Sequence, residues 1–449
     1  MTMQASPGRA QWTSTGGFVL ATLGAAIGLG NIWRFSYVTG ENGGGAFLVV
    51  YFGAVLAVGI PLLLGEFAIG RDTRREAASA FRHLARHGLW RHAGILGVAA
   101  SFAILTYYAV ISGWALKYFA GFVTLAYPLP QGEAPKAFEA FIAAPFEPTV
   151  WHAVVLAAAV AIVAGGVEQG IERACKVLMP LLVAVVVLLA LYSLTLPNAS
   201  AGLRYLFVPD WSVLERPQVY LAALGQAFFS LGLAMGVLVT YGSYLPSHIR
   251  LPQAAVAIAL GDTLFAVVAS IVIFPAVFSF GMSPAQGPGL AFVVLPEIFV
   301  RMTGGAIVGF AFFGLLVIAA LTSLMALLEV CVAYLVERWN VTRARAIALV
   351  AGAGFALGVP SSLGFGAWSG VRIAGLPILD AVDFAASNVL LPLSGLAIAL
   401  FLGWHWRKED ALDAVGVRSP VLANVWCLAV RYVAPAMIAI VLLRSVGVF

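Results

Sequence analysis

Long apolar runs separated by short polar stretches recur along the chain from end to end. Eleven of these runs reach the length of about 20 residues that a helix needs to cross a bilayer. Their approximate limits are 14–38, 44–69, 93–123, 151–167, 175–196, 219–245, 252–281, 304–336, 344–362, 377–405 and 421–446, called spans 1 to 11. The stretch 283–302 holds Pro284, Pro288 and Pro296 with intermediate hydrophobicity and reads as a loop with short helices. Two spans break the pattern. Span 1 is interrupted at Gly24, Gly28 and Gly30, just before Asn31 and Arg34, and span 6 at Gly232 and Gly236. Loosened backbone at membrane depth is tolerated only where protein or a water-filled cavity surrounds it.

Spans 1 and 6 hold equivalent positions in two halves of five spans each. Five is odd, so the halves have opposite topology. The pattern predicts an inverted five-plus-five repeat in one domain, 1–449, with halves at 14–196 and 219–405 and an additional span at 421–446. Spans 1 and 6 would unwind at mid-membrane around a shared site. Glycine also serves plain helix packing in membranes, so the neighbouring polar residues carry weight.

Composition agrees with an all-α polytopic membrane protein. Apolar residues make up 62% and charged residues 10%, against about 25% charged in soluble domains. With the N-terminus inside, Lys and Arg fall on the inner side sixteen times and on the outer side seven times; Arg34 and Arg431 lie within spans. That bias predicts a multi-pass protein of the cell inner (plasma) membrane, N-terminus cytoplasmic and C-terminus external. It also accounts for the net charge of +5 without a nucleic-acid partner. Cys175, Cys331 and Cys427 are widely spaced and form neither a metal motif nor a disulfide framework. The N-terminus lacks the pattern of a cleaved signal.

Asn31, Arg34, Glu66, Tyr107, Tyr108, Gln226, Ser230, Asp262, Thr322, Ser323, Glu329 and Asp383 lie within spans or at their edges. An ionisable group at the bilayer centre costs roughly 3 kcal/mol on insertion scales, so such groups face a bundle interior or a cavity. Hard cations take oxygen ligands, which an amide, hydroxyls, a carboxylate and unwound carbonyls supply. Free N–H groups at the start of a half-helix suit an anionic group. The residues therefore point to a small alkali cation and a carboxylate-bearing solute. Thr322 and Ser323 could alternatively back-bond to the preceding helical turn, and one of the two tyrosines could be a packing aromatic.

Five segments carry a family resemblance: Gly28-Leu-Gly-Asn-Ile-Trp-Arg-Phe35, Glu41-Asn-Gly-Gly-Gly-Ala-Phe47, Gly65-Glu-Phe-Ala-Ile-Gly-Arg71, Gln226-Ala-Phe-Phe-Ser230 and Leu321-Thr-Ser323. On these the chain resembles, nearly end to end, the neurotransmitter:sodium symporters, especially bacterial carriers of leucine and aromatic amino acids. The resemblance implies two sodium sites. The first would use the Ala26 carbonyl, the side chains of Asn31, Ser230 and Asp262, and the substrate carboxylate. The second would use carbonyls of Gly24, Ile27 and Ala319 and the hydroxyls of Thr322 and Ser323. Tyr108 and the N–H groups of Leu29 and Gly30 would hold the carboxylate, and carbonyls of Ala26, Phe229 and Ser230 the amine. Ile104, Phe229, Gly232, Met235 and Leu327 would surround the substrate side chain, with Ser323 alongside. Phe229 would cover the site from outside, Arg34 and Asp383 would form the external gate, and Arg9 with Glu337 and nearby Tyr244 the internal one.

Five positions refine the expectation. Gly28 stands where monoamine carriers place an Asp, leaving room for a substrate that brings its own carboxylate. Asp262 and Ala266 stand where chloride-dependent relatives have Asn and Ser, so Asp262 would supply the negative charge and chloride would not be required. Gly232 and Met235 replace a Ser and a Phe of the leucine-carrying relative, trading rigid bulk for space and a flexible thioether. These imply sodium-coupled import of a neutral hydrophobic or aromatic α-amino acid by alternating access. The alternatives are a same-fold carrier driven by protons or exchange, and an amino-acid sensor that does not transport. An enzyme is not expected: no Gly-x-Ser-x-Gly or His-Glu-x-x-His motif occurs, and His83, His87 and His92 sit among arginines, a poor place for a divalent cation. Oligomeric state is left open.

Overall fold

The computed structural model describes residues 10–85, 87–283 and 289–445. Among these, nine unbent helical spans are long and apolar enough to cross a membrane: Gly45–Thr73, Leu89–Val123, Glu147–Ala164, Val167–Ser193, Leu251–Ser279, Gly305–Trp339, Arg343–Leu363, Ile378–His405 and Pro420–Ser445. They are spans 2–5 and 7–11. A helix pairs most of its own backbone, as lipid requires, and internal prolines such as Pro180, Pro275 and Pro360 interrupt that pairing locally. Large apolar side chains such as Leu181, Leu188 and Leu264 remain exposed, as a lipid-facing surface should be.

Spans 1 and 6 are the broken ones. Span 1 comprises Thr15–Ala26 and Gly30–Glu41, whose axes diverge by 60°. Ile27 ends the first half with an extended backbone, φ −73° and ψ 99°. Gly24 was expected to take part in this break, but it lies inside the first half-helix. It is small because a Cβ there would come 3.2 Å from Cys175 and Met179. Span 6 comprises Pro217–Ser230 and Val237–Ser243, with turns between. Gly232, Ala234 and Gly236 take positive φ of 63°, 63° and 73°. A left-handed alanine costs roughly 1–2 kcal/mol, so this segment needs outside support.

Span 5 begins at Val167, earlier than its apolar run suggests. Glu172 lets it do so: buried, it takes hydrogen bonds from the Thr13 amide at 2.8 Å and a 2.8 Å ion pair from Lys176. Between spans 2 and 3, Glu76 caps the helix Ala77–Leu84 by accepting from the Ala78 and Ser79 amides at 2.7 and 2.6 Å. This end is the arginine-rich face. The opposite face carries the helices Ala134–Ala143, Ala199–Phe207 and Leu295–Arg301, and a two-stranded hairpin at Arg372–Pro377. The last of these helices lies in the proline-containing stretch expected to hold short helices.

Candidate substrate and cation site

The two breaks face one another across a small cavity. Its walls include Ala26, Gly30, Ile104, Tyr108, Phe229, Gly232, Met235, Ser323 and Leu327. Thr22, Ala25, Leu231 and Ala326 also line it; they were not singled out from sequence. Helical spacing could have found them, since Thr22 lies one turn before Ala26 and Ala326 one turn after Ser323. Leu29 lines the adjoining vestibule instead, and its N–H donates to the Tyr108 hydroxyl at 3.0 Å. Gly28 permits the convergence: a Cβ there would come 2.6 Å from Ser323 Oγ and 2.7 Å from the Tyr108 hydroxyl.

Beside the cavity lies a buried polar cluster. Asn31 Nδ2 donates to Ser230 Oγ at 2.9 Å and to Asp262 Oδ1 at 2.7 Å, and Ser230 Oγ donates to Asp262 Oδ2 at 2.6 Å. Asn31 Oδ1 accepts from the Gly28 amide at 3.2 Å. Asp262 is fully buried with no Lys or Arg paired to it among the described residues. Spans 1, 6 and 7 thus gather an amide, a hydroxyl and a carboxylate at one point. On the other side of span 1, Thr322 Oγ1 donates to the Ala319 carbonyl at 3.0 Å. Ser323 Oγ donates to the carbonyls of Ala319 at 3.2 Å and Ala25 at 3.3 Å. These hydroxyls bond back along span 8 while Ser323 also reaches span 1. Gly24, Ala26 and Ile27 sit at the end of that half-helix, where carbonyls lose their helical partners.

Three side chains hold the unwound part of span 6. Glu66 Oε1 accepts from the Ala234 amide at 2.8 Å, Ser394 Oγ donates to the Ala234 carbonyl at 2.8 Å, and Ser101 Oγ donates to the Met235 carbonyl. Glu66 stood out in the sequence as an intramembrane acid, but nothing local assigned its partner. Ser101 and Ser394 carried no signal, since a lone Ser in a helix usually bonds within its own turn.

The site opens unequally to the two faces. Above Phe229 a vestibule of about 300 Å³ is lined by Trp33, Arg34, Tyr107, Tyr108, Phe365 and Asp383, among others. Arg34 stacks over Phe229 at 4.6 Å and donates to Gln226 Oε1 at 3.3 Å, while Asp383 accepts from Ser387 at 2.8 Å. No ion pair joins Arg34 to Asp383 among the described residues. Toward the arginine-rich face the packing is closed. Trp12 is buried, donating through its amide to the Tyr244 carbonyl at 3.1 Å and through its indole to the Tyr241 carbonyl at 3.0 Å. Tyr244 donates to Glu329 at 2.8 Å, and Arg343 donates to both Glu329 oxygens, at 3.1 Å from Nη1, and to the Val163 carbonyl. Glu337 pairs with Arg75 at 3.4 Å and accepts from the Glu76 amide at 3.1 Å. Arg9, expected opposite Glu337, lies outside the described residues.

Broken spans, a buried oxygen cluster and an access path open at one end define a membrane transporter. Residues 9–141 and 142–449 match the sodium:neurotransmitter symporter family model, and the chain belongs to that family. It is 38% identical to the uncharacterized sodium-dependent transporter YhdH of Bacillus subtilis, over 98% of each chain. With an uncharacterized sodium-dependent transporter of Haemophilus influenzae it shares 34% identity, over 97% of this chain and 98% of the relative. Among solved structures, the crystal structure of MhsT in complex with L-phenylalanine matches with a TM-score of 0.92 and 52% identity, over 98% of this chain and all of that one. The chain is therefore a sodium-dependent symporter, built as an inverted repeat of membrane helices, and its family transports rather than catalyses.

Proposed function

We propose that the protein imports a neutral hydrophobic or aromatic α-amino acid with sodium and without chloride. The observation that carries this reading is the cavity itself. The half-helix ends and Tyr108 flank one side, and Ile104, Phe229, Gly232, Met235 and Leu327 leave an apolar space on the other. Such a lining suits a zwitterion with an apolar side chain, and the phenylalanine in the MhsT complex supports the class.

Sodium in the first site would be held by the Ala26 carbonyl, Asn31, Ser230, Asp262 and the substrate carboxylate. In the second it would meet carbonyls of Gly24, Ile27 and Ala319 with Thr322 and Ser323. Because the guest completes the first shell, each raises the other's affinity by the same factor. Two ions crossing about 100 mV with a tenfold gradient would supply roughly 7 kcal/mol, a concentrating power of about 10⁵ for a neutral guest. The buried Asp262 carboxylate would take the part that chloride plays in relatives. Closure of Arg34 onto Asp383 and opening of the Trp12–Tyr244–Glu329 side, with Arg9 and Glu337 at its mouth, would complete alternating access. The arginine-rich face would be cytoplasmic, in the inner membrane, with halves 14–196 and 219–405 moving against each other in the one domain.

In proteoliposomes, labelled phenylalanine should accumulate with sodium outside and not with lithium or choline, and aromatic and branched amino acids should compete. Equal accumulation without sodium, or a preference for glycine and alanine, rejects the reading. Asp262→Ser should make uptake chloride-dependent; unchanged chloride independence in that variant rejects the role of Asp262.

A further inference from the structure

Arg431 is the intramembrane cation that the transport site does not use. It lies in span 11, within the π-helical turn Ala429–Val433, and faces outward from the bundle. Its guanidinium stacks over Trp404 of span 10 at 4.2 Å and lies 5.6 Å from the Tyr432 ring centroid. The indole of Trp404 is pinned in turn by a 2.9 Å hydrogen bond from Nε1 to the Arg431 carbonyl, and packs edge-on against Tyr432 at 5.6 Å. All three side chains are exposed. The two spans touch backbone to backbone here, since a Cβ on Gly403 would come 2.6 Å from the Arg431 Cα. The cage is therefore built into the helix contact.

No acid pairs with Arg431 among the described residues, and none of its guanidinium N–H groups makes a hydrogen bond within them. Stacking uses the face of a guanidinium and leaves its in-plane donors for another partner. Those donors suit the oxygens of a phosphate, which they can grip two at a time. The depth also fits. Trp404 begins the run Trp404-His405-Trp406-Arg407-Lys408, where span 10 ends at the arginine-rich face. Aromatic rings followed by cations mark the headgroup level of a bilayer. On the bilayer-core side of the cage, Ile440 and Leu443 of span 11 are exposed, as a bed for acyl chains.

We propose that Arg431, Trp404 and Tyr432 form a binding site for the headgroup phosphate of an anionic phospholipid in the leaflet at the arginine-rich face. The unpaired charge of Arg431 favours a headgroup of net negative charge, whereas the following Arg407 and Lys408 are offset by Glu409 and Asp410, Arg407 pairing with Asp410 at 3.7 Å. The site lies on the lipid-facing side of spans 10 and 11 and is independent of the transport reading.

Native mass spectrometry of the full-length protein from mixed micelles of phosphatidylglycerol and phosphatidylcholine tests this. The wild type should retain one phosphatidylglycerol per chain that resists delipidation, at least tenfold preferred over phosphatidylcholine. Arg431→Gln and Trp404→Leu should each cut that occupancy about tenfold, Arg431→Lys should cut it less, and millimolar inorganic phosphate should not displace the lipid. Equal retention of the two lipids by the wild type overturns the proposal even if no variant folds. So does unchanged retention in Arg431→Gln, or displacement by free phosphate.

Discussion

The two ends of the access path are built from similar residue types and held in opposite states. At the arginine-rich end, Glu329 accepts from Arg343 and Tyr244 in a fully buried position, and Trp12 is pinned to span 6 by two hydrogen bonds. At the other end, Arg34 and Asp383 share a vestibule wall but bind Gln226 and Ser387 instead of each other. The difference teaches where each pair's energy lies. A buried pair holds only while complete, because removing one partner strands a charge in low dielectric. A half-solvated pair gains little from contact and can separate without much loss. The structure therefore shows a path shut at the buried pair and open at the wet one.

Three substitutions would break or sharpen that contrast. The largest effect is expected for Glu329→Ala, which leaves the partly exposed Arg343 without its carboxylate and should cost about 1–3 kcal/mol. Thermal unfolding should register the loss, and a cysteine at Ser323 should become reactive to reagent added from the arginine-rich side. If neither changes, the closed end is held by something other than this pair. Arg34→Ala comes next. It removes a stacking contact worth roughly 0.5–1 kcal/mol, so the melting temperature should barely move while sodium-driven uptake falls. A stability loss as large as that of Glu329→Ala would show the two ends to be equivalent.

The smallest effect concerns Glu76, outside the spans. Burial, aided by the nearby Glu337 carboxylate, raises its carboxyl above the ordinary value of 4.5, against the pull of its hydrogen bonds to Ser79 and Ala78. A raised acid pKa means that the ionised form is less favourable in the folded protein than in the unfolded chain. The resulting penalty is absent below 4.5, grows as pH rises through the folded-state value, and is complete above it. Glu76→Gln should remove this slope, so the melting temperature of the wild type relative to the variant should fall by about 2 °C or less between pH 4 and 8. A flat or rising difference would contradict it.

Much of this protein could be read before folding was considered. The spans were legible because each is a continuous apolar run, and the breaks because glycines and an Asn interrupt two such runs. Gly24 shows the limit of that reading: it looks like part of the break but is small for close packing against Cys175 and Met179. Span 5 shows another, since its charged first turn, which looked like loop, is helix once Lys176 and Thr13 satisfy Glu172. The residues that tether the unwound strand of span 6, Ser101 and Ser394, carried no mark at all.

By itself the sequence determined the number of spans, which two are broken, and the set of oxygen-bearing residues near the breaks. These follow from hydrophobicity and backbone preference, which act over a few neighbouring residues. Only the tertiary structure decided that Glu66 holds Ala234, that Glu329 meets Arg343 while Arg34 and Asp383 stay apart, and that Trp404 lies under Arg431. Those are pairings through space between distant parts of the chain, and they arise only when the packing of whole helices brings the partners within hydrogen-bond reach.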